Sequence, residues 1–175
     1  SMLYLILGGL YLGCVKPAPT TPIAPSSSEQ IMEVQIKKSD IDTRDYRYLQ
    51  LENDLKVLLI SDPKTDLAAA SMGVHVGQFS DPIHRQGLAH FLEHMLFLGT
   101  EKYPVEGEYN KFITANGGGT NAATSQERTT YYFRVKHEAL EPGLDRFAQF
   151  FISPKLDPEF VQRERKAVNS EYQLK

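Results

Sequence analysis

The stretch "GLAHFLEHMLFLGT", Gly87 to Thr100, sets two histidines and a glutamate into an otherwise apolar run. Nothing interrupts a helix from Leu88 to Leu98, and Gly99 stands where a C-terminal cap belongs. Helical geometry then gives the polar residues a purpose. Positions four apart share one face, a turn above one another, so His90 and His94 point the same way and can grip one metal ion. Glu93, three after His90, shares that face without needing to ligate. The pattern is H-x-x-E-H, the reverse of H-E-x-x-H, and it makes the same demand. Two neutral imidazole nitrogens bind the ion, and a carboxylate beside them takes a proton from a water that the ion activates. The plainer reading is a pair of hydrogen-bonded core histidines.

Catalytic zinc usually takes three protein ligands. The single cysteine, Cys14, lies far off in the N-terminal tail. The last segment, "LDPEFVQRERKAVNSEYQLK", opens as a helix, with Asp157 as N-cap and Pro158 in the first position. It offers Glu159, Glu164 and Glu171. The last two are seven apart, hence two turns apart on one face, so one can ligate while the other orients a histidine. Spacing leaves the choice open, against the alternative of solvated charges beside Arg163, Arg165 and Lys166.

Along the chain the reading is strands first, then mixed helices and a hairpin. "YRYLQLENDLKVLLISD" (Tyr46 to Asp62) reads as two strands about a turn at "END", and "AAASMGVHVGQF" as a third, more buried strand. A short helix is expected over "PVEGEYNKFITANGG", opening at Pro104 and closing at Asn116-Gly117. "GTNAATSQERTTYYFRV" reads as a hairpin. Leu140, Leu144, Phe147 and Phe151 form the stripe of an amphipathic helix. This order implies an α+β fold, a mostly antiparallel sheet packed with helices.

A length of 175 residues suffices for one domain with a core, or one domain plus a tail. With a net charge of −3 and no basic patch, nucleic acid is not an expected partner. One cysteine excludes an intrachain disulfide. Residues 1–30 differ from the rest. "MLYLILGGLYLGC" is an apolar run too short for a membrane-spanning helix, and "VKPAPTTPIAPSSSEQ" is a Pro/Ser-rich tether. Together they suggest a signal segment, and "YLGC" resembles a bacterial lipobox with Cys14 as the lipidated residue. The expected location is then the periplasm or cell envelope of a bacterium, with membrane attachment through Cys14. A plain secretory signal, or an apolar end with no export role, also fits. The globular part is read as 31–175.

Four blocks, "GLAHFLEHMLFLGTEKYP", "GGGTNAATSQERTTYYF", "LDRFAQFF" and "RERKAVNSEYQ", together resemble the N-terminal domain of the insulinase/pitrilysin family of zinc peptidases. The likeness runs from about Leu51 to the end. It implies one Zn2+ ion held by His90, His94 and Glu171, with Glu93 as general base and Glu164 as the glutamate that orients a ligand. It also implies that Asn121 and Ala122 bind the substrate backbone. "TNAATS" is small and polar, so a peptide could add to it as a further strand. Ala123 departs from the family, whose close members often carry a larger aromatic there, which widens any side-chain pocket. Active members are several times longer, and their homologous C-terminal half closes over the substrate. The expected activity is that of a zinc endopeptidase on oligopeptides or small unfolded proteins. This stretch would be its N-terminal fragment, weak or inactive alone, with the face of "FAQFF" partly uncovered. The rivals are a catalytically silent homologue and a metal-binding lipoprotein, either acting as a scaffold.

Overall fold

The computed structural model describes residues 2–8 and 36–173. Cys14 and the whole Pro/Ser-rich tether lie outside these residues. Six strands, β1 (Met2–Gly8), β2 (Asp45–Gln50), β3 (Lys56–Asp62), β4 (Leu67–Val74), β5 (Gly119–Thr124) and β6 (Thr129–Lys136), form one sheet. Their order is β2-β3-β1-β4-β6-β5. Every pairing is antiparallel except β1 with β3. The apolar run read as part of a leader thus supplies, over Met2–Gly8, a strand between β3 and β4.

Alternation decides which face is covered. On β6, Thr129, Tyr131, Phe133 and Val135 are buried, while Tyr132, Arg134 and Lys136 are not. Ala68, Ala70 and Met72 do the same on β4. Onto this face pack α1 (Leu88–Leu96), α2 (Glu108–Ala115) and α3 (Leu140–Ile152). Tyr109, Phe133, Phe147 and Phe150 meet there edge-on or tilted, with ring centroids 4.8–6.5 Å apart. The fold is α+β, as the element order implied. Phe147 and Phe150 are 1% and 3% exposed. Of the "FAQFF" face expected to be partly uncovered, Phe147 and Phe150 are buried and Phe151 is only partly so.

Three boundaries differ from those expected. The third strand stops at Val74, because the backbone beyond it turns onto the β5–β6 loop. A Cβ on Gly77 would lie 2.4 Å from the Ser125 carbonyl oxygen. The metal helix closes at Leu96 rather than Leu98. α2 opens at Glu108, not Pro104; Val105 to Glu108 makes a turn first, which leaves Glu106 free to pair with Arg163. α4 (Pro158–Gln173) opens as expected, with the Asp157 carboxylate accepting the Glu159 N–H at 3.0 Å. No α4 residue is fully buried; Phe160, Val161, Ala167 and Val168 are partly buried, and the polar contacts of Arg163, Glu164 and Glu171 add to its seat.

Candidate metal centre

Helix α1 starts abruptly. Gly87 precedes it at φ +88°, a left-handed conformation that costs glycine little. The Asp81 carboxylate accepts the N–H groups of Gly87 (2.7 Å) and Ala89 (2.9 Å), satisfying donors the helix leaves free. One turn later His90 and His94 project together, their Nε2 atoms 3.2 Å apart. α4 lies across this face. Glu171 Oε2 is 3.2 Å from His90 Nε2, and Glu171 Oε1 is 3.7 Å from His94 Nε2. Among the described residues, His90, His94 and Glu171 are the one group of three or more such side chains able to share an ion.

The separations test whether zinc fits. Tetrahedral bonds of about 2.0–2.2 Å to nitrogen and oxygen place ligand atoms about 3.4 Å apart, and the observed 3.2, 3.2 and 3.7 Å bracket that value. The donor set, two imidazoles and one carboxylate, is that of a catalytic zinc with a position left open. Glu171 is half exposed, with 49% of its side chain open to solvent, so the site has a mouth.

Glu164 serves differently. Its Oε2 lies 3.2 Å from His94 Nδ1. A carboxylate only accepts, so Nδ1 carries the proton and Nε2 presents its lone pair toward His90 and Glu171. Arg163 donates to Glu164 Oε1 at 2.8 Å and to Glu106 at 2.6 Å, tying α4 to the turn before α2. Glu159 is exposed in the first turn and apart from the group.

Glu93 is buried, at 8% exposure, beside the ligands and not among them. The Thr124 hydroxyl donates to its Oε2. Oε1 has no hydrogen-bond partner among the described residues. Tyr131 stands near; burial, and secondarily the Glu93 charge, push its hydroxyl well above the usual tyrosine range, so it stays neutral.

β5 closes the sheet on this side, and only β6 pairs with it. Ser125 N–H donates to the Arg128 carbonyl at 2.8 Å, and Lys136 N–H to the Asn116 carbonyl at 3.1 Å. Counting in steps of two, Gly119, Asn121 and Ala123 bond toward β6, while Thr120, Ala122 and Thr124 turn their main-chain groups to the free edge. Ala122 is thus placed to offer a peptide its backbone. Asn121 is not brought to the metal group: its exposed side chain lies on the sheet's other face. That face carries a shallow groove of about 500 Å³ along Ala69, Ser71, Asn121, Tyr132 and Arg134, away from the chemistry. Sequence reasoning missed Asp81, Arg163 with Glu106, and Thr124. No short-range spacing signals any of them.

This arrangement is a candidate metal site of peptidase type on an α+β scaffold, and comparison with known proteins shows the family. Residues 56–174 match the family model Insulinase (Peptidase family M16). The chain belongs to that family, whose peptidases are zinc-dependent. It is 57% identical over 150 residues to insulin-degrading enzyme of Drosophila melanogaster, covering 85% of this chain and 15% of that one. It is 52% identical over 160 residues to insulin-degrading enzyme of Mus musculus, covering 91% and 16%. The crystal structure of pitrilysin superposes with a TM-score of 0.80 at 39% identity, covering 85% of this chain and 16% of that one. The chain therefore spans about 15% of the length of the relatives it matches.

Proposed function

We propose that the chain is the zinc-binding, N-terminal part of a metalloendopeptidase that cuts oligopeptides or small unfolded proteins. The observation that carries the reading is the convergence of His90, His94 and Glu171, from helices α1 and α4, with Glu93 buried beside them. One zinc ion is proposed, held by those three residues; when bound it acidifies water and polarises a carbonyl. The free edge at Ala122 aligns a substrate backbone as an added strand, which reads main chain more than side chains. Glu93 takes a proton from the attacking water at Oε1 and returns it to the leaving amine nitrogen. Glu164 holds His94 in the tautomer that frees Nε2. We further propose, on the N-terminal sequence pattern alone, a cell-envelope location with a lipid anchor at Cys14; processing there would release Met2–Gly8, so the mature sheet would lack β1.

The test measures zinc content and hydrolysis of a quenched peptide in the full-length protein. Glu93→Gln is expected to keep zinc and lose about 100-fold or more of turnover. His94→Ala is expected to lose both. A Glu93→Gln variant that turns over at the wild-type rate, or sheds zinc as readily as His94→Ala, refutes the role. A zinc-loaded wild type that cuts nothing supports the silent-scaffold alternative.

A further inference from the structure

We infer that Thr124 is the positioning residue that aims Glu93, an inference that rests on the peptidase reading above. Thr124 ends β5, and its Oγ1 donates to Glu93 Oε2 at 2.5 Å. Directly across the hairpin, Thr129 is 4% exposed, and its Oγ1 lies 3.3 Å from that of Thr124. Each hydroxyl has one proton. Thr129 donates its own to the Val76 carbonyl at 2.9 Å, an acceptor that can give nothing back. The Thr124 proton is therefore the one left for the carboxylate, and the bond runs in one direction.

Two consequences follow. A hydroxyl–carboxylate bond is charge-assisted and among the stronger hydrogen bonds, so it restrains a side chain with three rotatable torsions. It also occupies Oε2, leaving Oε1 as the basic oxygen for water. The base is thereby fastened to the strand that carries the free edge, two residues beyond Ala122. Peptide docking and base alignment share one rigid element.

Thr124→Val removes the hydroxyl at nearly constant shape, and Thr124→Ser keeps it. In the full-length protein, zinc per chain, melting temperature, kcat and KM are measured for both variants and the wild type. For Thr124→Val, kcat is expected to fall about 10- to 100-fold, the loss of one hydrogen bond to a charged group, with zinc content and KM within about twofold. Thr124→Ser is expected to restore kcat to within about threefold of the wild type. The inference is overturned if Thr124→Val keeps its kcat, if Thr124→Ser falls equally far, or if only zinc content drops. Should Thr124→Val not fold, Thr124→Ala removes the same hydroxyl with less bulk and is read against Thr124→Ser in the same way. Absence of wild-type hydrolysis instead sinks the peptidase reading itself, so the two failures are distinguishable.

Discussion

Replacing Glu164 by alanine removes the one acceptor at His94 Nδ1 without touching a proposed ligand. The two groups are 3.2 Å apart, and their side chains are only 12% and 21% exposed, so water competes weakly for the bond. A hydrogen bond to a charged group contributes about 1.5–3 kcal/mol, which is about a 10- to 150-fold change in an equilibrium constant. Loss of an acceptor behind a metal-ligating histidine costs about 10- to 100-fold in affinity in general, and the two estimates agree. Glu164→Ala should therefore weaken zinc binding about 10- to 100-fold. Glu164→Gln should weaken it less, about tenfold, because an amide oxygen still accepts from Nδ1–H but carries no charge. Competition against a chromophoric chelator at pH 7 reads both. Zinc affinity within about twofold of the wild type in Glu164→Ala would show that His94 is oriented by something other than this bond.

Phe147→Ala empties a site that is 1% exposed and ringed by Phe133, Phe150 and Phe151; it should lower the unfolding free energy by about 3–5 kcal/mol in urea titrations. Asp145 accepts from Lys102 at 2.7 Å and from the Tyr103 hydroxyl, which hold its carboxyl below the usual carboxylate value. A depressed folded pKa contributes stability above the ordinary carboxylate pKa and loses it as pH falls through the folded value. Asp145→Asn should therefore flatten the fall in melting temperature below about pH 4 and leave a lower plateau at pH 7. Residues 1–175 alone should hydrolyse a quenched peptide far more slowly than the full-length protein at equal zinc occupancy, since α4, which carries the proposed ligand Glu171, has no fully buried residue to anchor it. Equal rates from the two would refute this.

Where the sequence sufficed, the interactions were local. One helical turn relates His90 to His94, and the period-2 burial of β6 is written in "TTYYFRV", so the shared face of the two histidines, the hairpin and the α+β class were legible in the sequence. The proposed third ligand was not legible from spacing, which left Glu159, Glu164 and Glu171 open; only family resemblance pointed to Glu171. Tertiary structure separated them by laying α4 across α1, so that Glu171 meets the two Nε2 atoms, Glu164 meets Nδ1, and Glu159 stays in solvent. Helix periodicity states which residues share a face, but not what that face docks against. Thr124 shows the same limit: its hydroxyl gains a partner 31 residues away only once α1 packs beside β5. The placement of Met2–Gly8 between β3 and β4 was likewise beyond the sequence, because an apolar run carries no sign of the strand edges that will receive it.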